Sequence, residues 1–93
     1  MNHVIAYELL AAELATYRDL GFEQLRQLVG DSSINRKHGT DAVEYEITVL
    51  VRWCDREAGD TRVTGTVSET GWGRPHDYLD DSFVVPRQTA GHA

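Results

Sequence analysis

The segment that decides the fold is AVEYEITVLVRW, residues 42–53, in which apolar and polar side chains alternate. Apolar residues occupy every odd position from Val43 to Trp53, while the even positions carry mostly charged or hydroxyl side chains. Because successive side chains of an extended chain point to opposite faces, this period of two predicts a long β-strand. One face of that strand is expected to be buried and the other to meet solvent.

A second alternating segment, residues 61–70, follows after a short polar stretch that ends in a Gly-Asp turn signal. The two segments together predict a β-hairpin. A turn in the middle of the polar stretch pairs Val49 with Gly65 and keeps both apolar rows on one face of the sheet. Gly65 then leaves a gap on the buried face, which we expect a large side chain such as Tyr17 or Trp53 to cover.

Two helices are predicted before the strands. Residues 3–20 lack glycine and proline, are rich in Leu, Ala and Glu, and repeat their apolar side chains at helical spacing. Glu13 lies off this apolar stripe. A glycine then interrupts the pattern, and residues 22–29 predict a short second helix with Asp19 as its N-cap and Gly30 just beyond its C-terminus.

The rest of the chain completes an α+β fold. Residues 34–38 lie between turn signals and predict a short edge strand, and residues 81–86 predict a last strand that ends at a proline. We therefore expect an N-terminal helix, plus the short second helix, packed on one face of a three- to four-stranded antiparallel meander sheet. Residues 1–86 are predicted to form a single domain and residues 87–93 a flexible C-terminal tail.

The amino-acid composition limits the classes of function that we expect for this chain. The 93 residues are 41% hydrophobic and 26% charged, as in an ordinary folded domain. The single cysteine excludes a disulfide framework and a Cys-rich zinc site. No apolar run approaches the roughly 20 residues of a membrane span, and the start of the chain lacks signal-peptide features, so a cytoplasmic location is expected. The net charge of −6 repels phosphate, so we expect neither nucleic acid nor a membrane as partner.

The most unusual segment is the loop GWGRPHD, residues 71–77, which places Trp72, Arg74 and His76 close together. Such a loop can bind a planar or anionic ligand, with Trp72 as a stacking platform and Arg74 as a bidentate donor. The structural alternative is that Trp72 packs inward beside Phe83 and that Arg74 pairs with a nearby aspartate. A small-molecule or minor enzymatic site on this loop is the second of two functional hypotheses.

Two other sets of side chains combine residue types that occur in catalytic or cation-binding sites. Cys54, His76 and Asp77 combine a thiol, a base and a carboxylate, but a carboxylate next to the sulfur opposes thiolate formation. Asp77, Asp80 and Asp81 could bind a hard cation, yet their spacing matches no known cation loop. We therefore assign no catalytic residue, no metal site and no cofactor.

The even-numbered row of the hairpin is the basis of the leading hypothesis. This row is either the solvated side of a two-layer domain, which is the commoner case, or a flat partner-binding face with Leu50 as its one apolar anchor. The chain is small and acidic, has no motif with a chemical mechanism, and offers an open sheet face and an edge strand. It is therefore interpreted as a non-catalytic interaction module that binds a protein partner, or self-associates, through a sheet edge or face. The row consists of Glu44, Glu46, Thr48, Leu50 and Arg52 with Arg62, Thr64, Thr66, Ser68 and Thr70.

Overall fold

A computed structural model describes residues 2–70 and 78–87 and confirms the α+β class. The strands form one antiparallel sheet in chain order, and both helices pack against it. Within the part of the chain that is described, no helix is long and apolar enough to cross a membrane. The elements are α1 (His3–Arg18), α2 (Phe22–Leu28), β1 (Ser32–His38), β2 (Glu44–Trp53), β3 (Thr61–Glu69) and β4 (Tyr78–Val85).

Both helices begin where predicted, but α1 ends two residues earlier, at Arg18, α2 ends one residue earlier, at Leu28, and the N-cap of α2 differs. Helix α1 begins after Asn2, whose side-chain Oδ1 accepts hydrogen bonds from the amides of Val4 at 3.1 Å and Ile5 at 3.2 Å. Asp19 does not cap α2, because its backbone is still helical, with φ −74° and ψ −14°, and it ends α1 instead. An N-cap needs an extended backbone, which Gly21 provides for α2 without a side-chain hydrogen bond.

The inner face of the sheet, which carries the helices, holds the core. The predicted pairing of Val49 with Gly65 is confirmed, so the odd-numbered positions of β2 and β3 share this face. Side chains from these rows pack against the apolar side of α1 and one residue of α2 and form a cluster of buried residues. The cluster comprises Ala6, Leu10, Leu14, Leu25, Tyr45, Ile47, Val49, Val51, Val63 and Val67.

Gly65 lets helix α1 approach the sheet closely. A Cβ atom at this position would lie 2.7 Å from Leu10 Cδ1 and 3.0 Å from Leu14 Cδ2. The gap over the glycine is thus filled by two leucines of α1, and the expectation that Tyr17 or Trp53 covers it is wrong. The physical reason is that α1 crosses β3 directly above the glycine, where only the missing side chain leaves room for the helix.

The two edge strands are longer than predicted. Strand β1 begins at Ser32 and β4 begins at Tyr78, where Tyr78 already pairs with Ser68 of β3. Regular pairing with a neighbouring strand offsets the low β-propensity of the aspartates in β4. Phe83 lies on the inner face, as predicted, and the Arg18 guanidinium stacks over its ring at 4.5 Å from the centroid. Residues 88–93 of the expected tail lie outside the described part of the chain.

Candidate functional site

The second face of the sheet, here called the outer face, consists of the even-numbered positions of the four strands. Burial alternates along β2, β3 and β4, with the odd positions more buried than the even ones. The core cluster that joins the sheet to the helices contains only odd-numbered strand residues. The outer face comprises Ser32, Ile34, Arg36 and His38 of β1, Glu44, Glu46, Thr48, Leu50 and Arg52 of β2, Arg62, Thr64, Thr66 and Ser68 of β3, and Tyr78, Asp80, Ser82 and Val84 of β4.

Leu50, the predicted apolar anchor, lies near the centre of this face. Its side chain is half-buried, and its cross-strand neighbours are Ser32 of β1 and Thr64 of β3. The other predicted binding residues, Trp72, Arg74 and His76, fall in residues 71–77, outside the described part of the chain. The ligand site proposed for that loop therefore stays a prediction.

Three further apolar residues lie on the outer face, so Leu50 is not its one anchor. Ile34 is 60% exposed, Tyr78 is 51% exposed and Val84 is 44% exposed. Ile34 and Val84 lie on opposite edge strands, one on each side of the central hairpin. The sequence could have indicated that these residues lie on the outer face, because all of them have even numbers. The pairing register of β1 and β4 is needed to show that even-numbered residues of these strands share a face with those of β2 and β3.

Short hydroxyl side chains fill the middle of the outer face. Thr48 and Thr66 are direct cross-strand partners, and Thr64 lies opposite Leu50. All three threonines are half-buried in the sheet surface. Side chains of this size leave a flat surface, and their hydroxyls point outward from the sheet, where they can donate or accept hydrogen bonds.

Two arginines lie side by side at one end of the outer face. Arg52 and Arg62 are direct cross-strand partners, and both are exposed. Neither forms an ion pair with any residue in 2–70 or 78–87. Like charges directly opposite each other in a sheet are destabilising, so this pair lowers the stability of the isolated domain.

The opposite end of the outer face carries acidic side chains. Glu44 and Glu46 are half-buried at this end of β2. His38 Nε2 lies 3.9 Å from Glu44 Oε2, and Arg36 is the cross-strand partner of Glu46. The acidic charge of this end is thus partly neutralised by β1, whereas the arginine pair at the other end has no such neighbour on β1.

The sheet edges carry charged groups on the inner face, which oppose the docking of another strand. On β1, Lys37 Nζ lies 3.2 Å from Glu13 Oε1, and Asn35 Nδ2 donates to Glu13 Oε2 at 2.6 Å. On β4, Asp81 lies on the inner face beside Gly65. Helical spacing places Glu13 off the apolar stripe, yet it is only 7% exposed, because β1 presents polar rather than apolar side chains to this part of α1.

A cavity of about 290 Å³ lies between the helices and the start of β1. The Tyr17 hydroxyl and Ser33 Oγ, both in its wall, are 2.9 Å apart and hydrogen-bond each other. Asp31 is the one ionisable carboxylate among its lining residues. Because two of its hydroxyls are paired with each other, we assign no binding or catalytic role to this cavity.

A second cavity, of about 370 Å³, lies at the turn between β2 and β3. It is lined by Asp55, Arg56, Gly59, Asp60 and Arg87. Asp60 Oδ1 accepts a hydrogen bond from the backbone amide of Arg87 at 2.8 Å, which ties the end of β4 to the turn. The Asp60 carboxylate thus has a structural role.

Two sets of side chains, Cys54 with His76 and Asp77, and Asp77 with Asp80 and Asp81, were considered from the sequence and not assigned as sites. Cys54 is half-buried at the end of β2, while His76 and Asp77 fall outside the described residues. Asp80 and Asp81 are adjacent in β4 and so point to opposite faces of the sheet. Within residues 2–70 and 78–87, no three His, Cys, Asp or Glu side chains form a group that could hold a metal ion.

A buried tyrosine fixes the turn between β1 and β2. The Tyr45 hydroxyl donates to Asp41 Oδ2 at 2.7 Å, and the amide of Val43 donates to Asp41 Oδ1 at 3.1 Å. Burial, with the neighbouring Asp41 carboxylate, raises the pKa of Tyr45 to about 12. The hydrogen bond from Tyr45 lowers the pKa of Asp41. This pair joins the turn to the core.

Comparison with protein-family models, with curated proteins and with solved structures found no match for this chain. The functional argument therefore rests on the geometry of the outer face.

Proposed function

We propose that this chain is a non-catalytic protein-interaction module that binds its partner through the outer face of the sheet. The observation that carries the proposal is the surface around the half-buried Leu50, which no helix within residues 2–70 and 78–87 covers and on which Ile34, Tyr78 and Val84 are exposed to solvent. Large apolar side chains on an open, flat face are typical of surfaces that bind another protein. The charged groups at the sheet edges favour binding through the face rather than through strand addition.

A protein partner fits the charge of the chain better than nucleic acid does. The net charge is −6, and on the outer face the carboxylates of Glu44, Glu46 and Asp80 balance three arginines, so this face has no excess of positive charge. Carboxylates on a binding surface repel a phosphate backbone. The free Cys54 thiol is compatible with a reducing, cytoplasmic setting.

The proposal is tested by capture of binding proteins from a lysate of the source organism with immobilised full-length variants. Leu50→Glu adds a charge at the centre of the outer face, whereas Val4→Glu makes the same kind of change on the solvent side of α1. We expect a specific partner to be retained by the wild type and by Val4→Glu and to be lost with Leu50→Glu. Both variants should keep a melting temperature near that of the wild type, because neither side chain belongs to the core.

The result that contradicts the proposal is a partner that binds Leu50→Glu as strongly as it binds the wild type. If the partner is lost with Trp72→Ala and not with Leu50→Glu, the binding surface is the loop at residues 71–77 and not the outer face.

A further inference from the structure

We infer that the partner of the outer face is a second copy of this chain, packed face to face about a two-fold axis that runs across the strands. The inference rests on the proposed function and names its partner. The axis passes over the cross-strand row formed by Val49 and Gly65, at the middle of the central hairpin. Two sheets that pack in this way are about 10 Å apart, with their strands aligned to within roughly 30°.

The charges at the two ends of the outer face select the direction of this axis. A two-fold axis between two facing sheets lies in the plane of the interface. An axis parallel to the strands would place the Arg52 and Arg62 pair over the same pair of the second copy. An axis perpendicular to the strands reverses the strand direction and places the arginine end of one copy over the acidic end of the other. Only the second arrangement brings opposite charges together.

Residue spacing in β2 supports this axis position. Glu46 lies three residues before Val49, and Arg52 lies three residues after it. Rotation about the Val49 position therefore brings Glu46 over Arg52 of the second copy, and Arg52 over Glu46 of the second copy. The symmetry creates this charge pair twice in the dimer.

The same rotation pairs the charged and hydroxyl groups of β3. Arg62 and Ser68 are each three residues from Gly65, so the Arg62 guanidinium meets a hydroxyl acceptor on the second copy. Thr64 and Thr66 are each one residue from Gly65, so their hydroxyls face each other across the axis. The two arginines, which form no ion pair with residues 2–70 or 78–87, thus gain a carboxylate and a hydroxyl partner in the dimer.

Apolar residues also meet under this symmetry. In β4, Tyr78 and Val84 are each three residues from Asp81, which is the position opposite Gly65. The rotation therefore lays the exposed Tyr78 ring over Val84 of the second copy. At the centre, Leu50 lies over Thr48 of the second copy, where its methyl groups contact the threonine methyl group. The exposed apolar side chains of β2 and β4 thus cover each other.

The size of the face predicts a reversible dimer. Four strands about 4.8 Å apart, with seven to ten residues each at about 3.4 Å per residue, present a surface of roughly 20 by 30 Å. This is at the lower end of the area that specific interfaces bury on each partner. The dimer is therefore expected to dissociate on dilution and to weaken as the salt concentration rises.

The test is a charge-reversal series measured by sedimentation velocity over a range of concentrations of the full chain. We expect Arg52→Glu and Glu46→Arg each to weaken dimerisation by about tenfold or more, because each places like charges together across the axis. The double variant Arg52→Glu with Glu46→Arg should restore the dimer. The two positions are about 20 Å apart within one strand, so rescue requires contact between two chains.

The matched control is Arg26→Glu, which makes the same change in net charge on α2, on the other side of the sheet. Among the residues that the structure describes, its side chain forms one ion pair, with Glu23, and both side chains are exposed. Dimerisation of this variant should equal that of the wild type. A wild type that stays monomeric at every concentration, or a double variant that fails to restore the dimer, would overturn the inference.

The outcomes also separate this inference from the proposed function. A monomeric chain that still loses a different protein partner with Leu50→Glu would overturn the second-copy inference and leave the proposed function in place. A dimer that no outer-face variant affects, together with a captured partner that binds Leu50→Glu as strongly as the wild type, would overturn both.

Discussion

The two faces of the sheet are made by the same strands, yet they differ in what determines their residues. On the inner face, Ile47 and Val67 are direct neighbours under α1 and are fully buried. On the outer face, the adjacent positions Thr48 and Thr66 are half-buried and lie in the same two strands. The inner row is explained completely by the core of a single chain. The core of a single chain does not account for the outer row, with its paired arginines and exposed apolar groups, and the proposed second copy of the chain would cover it.

The largest expected effect is the loss of folding stability when the packing of the inner face is disrupted. Ile47→Ala removes buried methyl groups from the centre of the core and should lower the free energy of unfolding by about 2–4 kcal/mol. Thr48→Ala, on the other face of the same strand, should change it by less than about 1 kcal/mol. Chemical denaturation of both variants measures the difference. Equal midpoints for the two variants would mean that the two faces have been assigned wrongly.

A smaller effect on the inner face is expected at Gly65. A methyl group there collides with Leu10 and Leu14, so Gly65→Ala should lower the free energy of unfolding by about 1–3 kcal/mol. Gly21→Ala is the control, because a Cβ atom at Gly21 meets no atom within 4 Å. Addition of Leu10→Ala should make Gly65→Ala less costly in a double-mutant cycle. Strict additivity of the two changes would contradict the close contact.

The inner face should also show a distinct pH dependence at Tyr45. Its pKa in the folded protein is raised to about 12, while that of an unfolded tyrosine is about 10. The stabilisation that comes from keeping this hydroxyl protonated is therefore complete below pH about 10 and is lost as the pH rises towards about 12. Denaturation of the wild type and of Tyr45→Phe over this range isolates the effect. The variant should show a smaller loss of stability, and parallel curves would contradict the assignment.

The smallest expected change in stability is at the arginine pair of the outer face, where a substitution should affect folding and dimerisation in opposite directions. Arg62→Thr removes the repulsion with Arg52 and should raise the stability of the monomer by about 0.2–1 kcal/mol. The same variant should weaken dimerisation, because Arg62 loses its contact with the second copy. Thermal unfolding at low concentration, together with sedimentation, measures both effects. A variant that is less stable but equally dimeric would show that the arginine pair serves the fold of the single chain.

Alternation in the sequence predicts β2, β3 and their register, because period two and a short turn leave few ways to pair these strands. It does not predict which helix residues lie over Gly65, since the angle at which α1 crosses the sheet depends on packing that is not local in sequence. Glu13 shows the same limit. Its burial follows from polar side chains on β1, which is more than twenty residues away along the chain.

Only part of the candidate site could be predicted from the sequence, because several of its residues reach the outer face through the pairing register of the strands. Leu50 follows directly from its even position in the hairpin. Ile34 and Val84 join the outer face only through the register of the edge strands, which polar sequences such as that of β1 specify weakly. The arginine pair depends on the exact register of β2 and β3, so its significance is visible only when both strands are in place.

The most direct measurement of the central claim is the response of side-chain methyl NMR signals to dilution of the wild-type protein. Leu50 and Val84 lie on the outer face, while Val4 is an exposed residue of α1. We expect the methyl signals of Leu50 and Val84 to shift with concentration and those of Val4 to stay constant. Concentration-dependent shifts at Val4 alone, or at none of these residues, would contradict the claim that the outer face binds a second copy of the chain.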